Sequence, residues 1–380
     1  MYTLSSDFDI ATFLNEYWQK KPLVIRQGLT AFSDPIDEND LAGLAQEDDV
    51  DSRIVSVHDD EQWHVYHGPF DDYNTVCQGK WTLLVQGVDR YSDDINGLME
   101  AFNFIPYWRM DDVMISYAVK GAGVGPHTDQ YDVFLIQGKG KRAWQVGAPG
   151  NYTPRYPHKD LQQIAGFAPQ IDVVLEPGDI LYIPPGWPHD GQALEDCLTY
   201  SVGFRAPDQH QILQHVTDEL TAAHCQPVRY SDPNLTQPRH PGMISPTEVS
   251  TLREMIIDLI SSPDSDHALM SLLSMQHLPE SDTPVPVTTD EVRTLLENGG
   301  EIIRLLGCKP VFNENQNSTN FTFYVNGEAF HTPKVLEQVM WEILRGAPID
   351  EAWLGNSEEQ ESLLSILALL INKGYWEMIS

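Results

Sequence analysis

The chain has 380 residues, enough for more than one domain with a sizeable core, and its 41% hydrophobic content excludes disorder of the whole. Acidic side chains number 56 against 23 basic ones, a formal net charge of −33. Such a surface should repel nucleic acid and anionic lipid and draw in cationic partners, so a nucleic-acid or membrane-surface role is not expected.

In chain order, IATFLNEYWQ carries apolar residues at helical spacing, and KPLVIRQ reads as a short strand after a proline. WTLLVQGVD, Trp81 to Asp89, reads as a further strand, and SDDINGLMEAFNFI as a helix capped by serine or aspartate. From about Pro106 to Ala206 strand patterns dominate. An apolar run (VVL), a PGD turn at Pro177 to Asp179 and the strand ILYI end at Pro184, Pro185 and Gly186.

After Arg205 the character changes. QHQILQHVTDELTAAH and SPTEVSTLREMIIDLISS place apolar residues three and four apart, the pattern of amphipathic helices, and a polar loop, VRYSDPNLTQPRHPGM, lies between them. SDTPVPVTTDE reads as a linker into a third module. There TDEVRTLLENGG, PKVLEQVMWEILRG and EQESLLSILALLINKGYW read as helices, and EIIRLLG and FTFYVNGEAF as strands with an NG turn. Helices with a hairpin suggest a winged helix. Its basic residues are few, with Arg293, Arg304, Lys334, Arg345 and Lys373 among them and many acids around, which points to a protein-interaction or structural unit rather than a nucleic-acid binder. The expected division is a catalytic region over 1–206 with its barrel core at about 106–206, a helical region over 207–278, and a winged-helix-like domain over 279–380.

Cys77, Cys197, Cys225 and Cys308 are widely spaced with no CxxC pair, so reduced thiols in the cytoplasm are the simplest reading. The first residues, MYTLSSDFDIATFLNEYW, lack the basic start and apolar core of a secretory signal, and no apolar run reaches the ~20 residues of a membrane span. A cytoplasmic protein is expected.

The chemistry concentrates in GVGPHTDQYDVF, which carries His127 and Asp129 one residue apart, and in PGDILYIPPGWPH, which ends on His189. Two imidazoles and one carboxylate suit Fe(II) and leave three coordination positions open for a cosubstrate and oxygen. Residues i and i+2 of a strand share a face, so a strand through this segment would set His127 and Asp129 side by side. His189 would then arrive at the end of a second strand, as a double-stranded β-helix, or cupin barrel, presents a metal. A cupin that binds metal without oxygen chemistry tends to use more histidines.

The string from Ser116 to Trp144, PGDILYIPPGWPHDG and SVGFRAP resemble the JmjC-type oxygenases of the cupin superfamily, and specifically the ribosomal oxygenases, closest to the bacterial arginine hydroxylases among them. The likeness continues in FLNEYWQKKPLVIRQG, the DSR segment at Asp51 to Arg53, HGPF at His67 to Phe70 and YSDP at Tyr230 to Pro233, and so covers nearly the whole chain. It implies an α+β protein, a cupin/JmjC barrel with a helical dimerisation region and a winged-helix-like C-terminal domain.

It also implies an Fe(II)- and 2-oxoglutarate-dependent dioxygenase, with O2 as the second cosubstrate. His127, Asp129 and His189 match the family's metal ligands, Arg142 its anchor for the distal carboxylate of 2-oxoglutarate, and Ser116 the hydroxyl partner of that anchor. A guanidinium fork suits two-point carboxylate recognition. Adjacent strand residues face opposite ways, so only one of Lys141 and Arg142 can point inward, and Trp144 shares a face with Arg142. The implied substrate is a basic ribosomal protein, large-subunit protein sixteen, hydroxylated at an arginine β-carbon. Histidine hydroxylation and lysine demethylation are the alternatives within the superfamily. Asp111, Asp112 and Asp132 are candidates to meet a substrate guanidinium, and Gln130 and Tyr131 flank the ligands.

Overall fold

A computed structural model of the chain describes residues 2–58, 61–223, 227–278, 285–314, 319–354 and 357–379. Cys225 and residues 281–284 of the expected linker lie outside them. The chain divides into two compact units, one made mainly of residues 1–206 and the other mainly of 207–277 and 308–380.

The first unit opens with helix α1 (Ile10–Glu16), strand β1 (Leu23–Ile25), α2 (Glu38–Leu44), β2 (Ser52–Val57), β3 (Trp63–His67), α3 (Tyr73–Val76), β4 (Lys80–Val85) and α4 (Asp93–Glu100). The strands that follow are β5 (Met110–Ala118), β6 (Asp132–Gln137), β7 (Arg142–Gly147), β8 (Pro154–His158), β9 (Leu161–Ile164), β10 (Pro169–Leu175), β11 (Ile180–Ile183), β12 (His189–Ala193) and β13 (Cys197–Phe204). Eight of them form a sheet in the order β1-β11-β6-β13-β5-β4-β2-β3, faced by a three-stranded sheet, β10-β7-β12. This is the double-stranded β-helix expected from the sequence.

Strand alternation explains why β6 is apolar on every residue after Asp132 up to Ile136. Val133 and Leu135 turn inward and pack with Trp144, Val146, Leu175, Leu181 and Ile183 between the two sheets. Phe134 and Ile136 turn outward into a larger core with Phe13 of α1, Ile95 and Leu98 of α4, Tyr182 and Phe204. Phe134 is fully buried with four aromatic rings around it. Phe134→Ala would therefore cost about 3–5 kcal/mol. Capping is local: Asp9 accepts from Thr12 N at the start of α1, and Ser92 from Ile95 N at the start of α4.

The second unit contains α5 (Gln209–Ala222), α6 (Pro246–Ile260), α7 (Pro263–Ser274), α8 (Thr289–Glu297), β14 (Glu301–Arg304), β15 (Val311–Phe312), β16 (Asn320–Val325), β17 (Glu328–Pro333), α9 (Glu337–Arg345), α10 (Ser357–Asn372) and β18 (Trp376–Ile379). Capping boxes start α5, α6 and α8 at Asp208, Ser245 and Thr288. Val216 and Leu220 of α5 pack on Ala268 of α7. Asn326 (φ 46°) and Gly327 (φ 84°) make the two-residue turn between β16 and β17, as the NG pair requires. The winged-helix pattern is present, with two strands that the sequence reading missed, the short β15 and β18. The KGYW end of the last predicted helix leaves the helix at Gly374 (φ 74°), and β18 pairs antiparallel with β14.

Five of the module's six basic residues are engaged locally. Arg293 pairs with Glu361, Lys334 with Glu337, Arg345 with Glu342 and Lys373 with Glu328, and Arg304 donates to the Leu344 carbonyl.

Candidate metal centre and cosubstrate cavity

His127 and His189 come together through backbone pairing. His127 N donates to His189 O at 3.0 Å and His189 N to His127 O at 2.9 Å, an isolated antiparallel bridge. The expectation that His127 and Asp129 ride on a strand is corrected, because β6 begins only at Asp132 and Asp129 lies in no strand. Gly125 with its positive φ and Pro126, which offers no N–H, break the ladder just before the pair. The segment stays extended enough to hold the ligands on one side, pinned by the His127 bridge and by Gly186 N donating to Asp129 O at 2.7 Å. Likewise His189 opens β12 rather than closing β11.

The ring nitrogens are sorted by their partners. His127 Nδ1 lies 2.9 Å from Gly125 O and His189 Nδ1 3.0 Å from Trp187 O. A carbonyl only accepts, so each Nδ1 carries the proton and each Nε2 turns its lone pair to the site. Asp129 Oδ2 is 3.4 Å from His189 Nε2 and 3.8 Å from His127 Nε2. One ligand atom from each residue lies within 4.8 Å of the others, a spread that a single divalent ion can span. Burial, then the neighbouring His189, pushes His127 down to about 4, which keeps the imidazole neutral. Burial would raise Asp129, but the electrostatic influence of His189, His127 and Arg53 outweighs that and holds the carboxyl below its usual range.

A cavity of about 470 Å³ opens from the triad into the barrel. Its floor is polar. Arg142 is 4% exposed, and its Nη1 reaches Ser116 Oγ and Thr199 Oγ1, both at 3.4 Å, while Nη2 donates to Gly191 O at 3.3 Å. No carboxylate pairs with it among the described residues, its Nε has no partner, and its guanidinium lies 4.8 Å from the Trp144 ring. Lys141 points the other way, to Glu176 at 2.6 Å, as strand alternation demands. Ser116 and Thr199 are direct partners across the β5–β13 ladder, which is how two hydroxyls meet one guanidinium.

Gln130 and Tyr131 line the cavity beside the triad, and burial raises the Tyr131 phenol far above its usual range. The three aspartates do not. Asp132 is fully buried and meets the chain's own guanidinium, Arg109, at 3.0 Å, with Tyr182 Oη donating at 2.6 Å and Gln19 Nε2 at 2.9 Å. Asp111 pairs with Arg205 at 2.7 Å. Asp112 accepts from Gly87 N, and burial pushes it up to about 6. Sequence reasoning passed over Thr82, Thr199, Arg53 and Gln163, all of which line the cavity. Strand parity could have flagged Thr199, since it stands two residues from Ser201 within SVGF's own strand.

Two imidazoles and a carboxylate converging at the mouth of a double-stranded β-helix, above a buried guanidinium with no anion of its own, define a non-haem iron oxygenase of the kind that uses a 2-oxo acid. The JmjC domain model matches residues 97–212, and a ROXA-like winged-helix model matches 229–377. The chain is 40% identical to the ribosomal protein uL16 3-hydroxylase of Escherichia coli, over 96% of both chains, and 32% identical to a probable ribosomal oxygenase of Haemophilus influenzae, over 93% of this chain and 91% of that one. The structure of the Escherichia coli ribosomal oxygenase YcfD in complex with cobalt and 2-oxoglutarate superposes with a TM-score of 0.87 at 39% identity, covering 100% of this chain and 99% of that one. The chain belongs to the JmjC-type ribosomal oxygenases.

Proposed function

We propose that this chain is an Fe(II)- and 2-oxoglutarate-dependent dioxygenase that hydroxylates the β-carbon of an arginine in ribosomal protein uL16. The observation that carries the reading is the identity of 40% to a uL16 3-hydroxylase over 96% of the chain. His127, Asp129 and His189 would hold the metal, and Arg142 with Ser116 the distal carboxylate of 2-oxoglutarate. Bound there, Fe(II) couples oxidative decarboxylation of 2-oxoglutarate to succinate with insertion of one oxygen atom of O2 into a C–H bond. The protein's own part is to orient and to keep water out. The two Nδ1 hydrogen bonds keep each imidazole aimed with its Nε2 toward the site. Leu84, Val133, Leu135 and Trp144 give the cavity apolar walls. The β8–β9 hairpin closes one side, held by Gln163 Nε2 donating to Val124 O and Ile164 N to Pro126 O, both at 2.8 Å.

A basic substrate fits the net charge of −33, which steers cations toward the surface. The region 207–278 acts as the dimerisation element. The α6 helix buries none of its residues and leaves Val249, Leu252, Ile256, Ile257, Leu259 and Ile260 exposed, a face suited to a second copy of this chain. The 279–380 domain serves protein contact rather than nucleic acid, in keeping with its locally paired basic residues. The protein works in the cytoplasm, where ribosomal proteins are made. Among the described residues no helix is long and apolar enough to cross a membrane.

The test is mass spectrometry of arginine- and histidine-containing uL16 peptides after incubation with enzyme, Fe(II), 2-oxoglutarate and air. A gain of about one oxygen mass on arginine, absent with His127→Ala, is expected. Succinate release with the oxygen on histidine, or on no peptide, would overturn the substrate; no succinate at all would overturn the oxygenase.

A further inference from the structure

Thr82 lies on β4, opposite Ala118 of β5 and Val55 of β2. It is fully buried, it lines the cavity, and its hydroxyl has no hydrogen-bond partner. Of the buried hydroxyls in that state among the described residues, Ser56, Thr82 and Thr332, only Thr82 borders the cavity. A buried hydroxyl without a partner is unfavourable, and valine has nearly the same shape with at least as good a fit to a strand. Folding alone therefore gives no reason for an oxygen at this position. A partner from outside the chain would satisfy it.

The surroundings define that partner's chemistry. Ala118 is two residues along β5 from Ser116, so Thr82 and Ser116 share the inner face on neighbouring strands. Ser116 is one of the two hydroxyls at Arg142. The guanidinium is buried among neutral oxygens at 3.3–3.4 Å and has no counter-anion among the described residues. A carboxylate has two oxygens and about four acceptor sites, more than one guanidinium fork fills. The free hydroxyl at the same end of the cavity supplies a further donor.

We propose that Thr82 donates its hydroxyl proton to the distal carboxylate of the five-carbon dicarboxylate at Arg142, fixing that end at two points and so selecting for chain length. The inference rests on the cosubstrate assignment made above. Thr82 contacts the cosubstrate and takes no part in oxygen transfer.

The experiment is calorimetric titration of 2-oxoglutarate into the full chain loaded with Mn(II), without turnover, for the natural protein, Thr82→Val, Thr82→Ser and Arg142→Met, with thermal melts of each metal-free protein. Thr82→Val should weaken 2-oxoglutarate about tenfold or more, the loss of one hydrogen bond to a charged group. Mn(II) affinity and the affinity for pyruvate, which has no distal carboxylate, should not change. The metal-free melt of Thr82→Val should hold or rise, and Thr82→Ser should restore most of the affinity. Unchanged 2-oxoglutarate binding in Thr82→Val, or an equal loss for pyruvate, would overturn the role of Thr82. A lowered melt would do so too, since it would show a structural bond for the hydroxyl. Undiminished binding in Arg142→Met would instead overturn the cosubstrate assignment itself.

Discussion

His127 and His189 exchange both backbone hydrogen bonds, at 3.0 and 2.9 Å, and their ring centroids stand 4.3 Å apart. The main chain therefore brings the two imidazoles together through backbone pairing. Side-chain replacement should leave that junction intact. For His127→Ala and Asp129→Ala, succinate release should fall at least about a thousandfold, while far-ultraviolet circular dichroism and the metal-free melt stay near those of the natural protein. Unfolding of either variant would show that the imidazole and carboxylate hold the fold as well as the ion.

Arg142 gives a second outcome that separates binding from folding. Its guanidinium is buried with no carboxylate partner among the described residues, and burial lowers its pKa from the usual arginine value. Arg142→Met removes an uncompensated buried charge, so the metal-free protein should lose no stability. The KM for 2-oxoglutarate should rise at least about thirtyfold, since the lost contact is a charge-assisted fork. Arg142→Lys keeps the charge without the fork and should recover only part of this. Steady-state kinetics beside thermal melts decides it.

The pH dependence of the metal-free protein follows from His127. Its folded pKa, about 4, lies below the ordinary histidine value of about 6.5, because burial and His189 oppose the charged ring. The unfolded chain therefore takes up the proton first. The resulting stabilisation is complete above about pH 6.5 and is lost as the pH falls toward 4, at most about 3 kcal/mol in all. Other carboxylates contribute to acid unfolding as well, so the comparison is with His127→Gln. The stability difference between the two proteins should shift against the natural protein across that window. A His127 resonance, identified by its loss in His127→Gln, that titrates near 6.5 in the folded metal-free protein would contradict the assignment.

The sequence made the metal site legible because residue type carries most of its information. His127, Asp129 and His189 need only be a ligand set with suitable spacing, and the PGD turn marks the strands around them. The local backbone was less legible. HTDQYDVF reads as one strand, yet β6 begins only at Asp132, and the bridge from His127 to His189 is a contact 62 residues away in sequence. Thr82 was invisible for a different reason. In WTLLVQ it is an ordinary strand residue, and only closure of the barrel decides that its face meets Arg142 rather than the outer core. The β14–β18 pair was hidden likewise, since KGYW extends a helical pattern and its partner strand is some seventy residues upstream.

Asp132 looked like a candidate for a substrate guanidinium and is instead the acceptor at a buried junction. Burial outweighs its hydrogen bonds from Tyr182 and Gln19 and its pairing with Arg109, and raises its pKa. Asp132→Ala would leave Arg109 buried without an anion, and removing one partner of such a pair costs about 3–5 kcal/mol. The melt should fall sharply, and the 2-oxoglutarate KM of whatever folds should be unchanged. A KM effect at unaltered stability would return Asp132 to the active site.

The α6 face sets the last expectation. Leu252, Ile256 and Ile260 lie at spacings of four on one stripe of the helix, each 44–56% exposed, with Val249 and Leu259 flanking them. An apolar stripe of that kind on a chain with so acidic a surface suits a partner whose face is equally apolar, and in the dimer proposed above a second α6 related by a twofold axis would supply one. Replacing Leu252 and Ile256 together by glutamate sets like charges against one another across such an axis. Light scattering after gel filtration should then move from a dimer mass to a monomer mass, while succinate release per chain, which depends on a cavity lined by the first unit alone, stays within about twofold. A mass that does not change on substitution would assign the stripe to another partner.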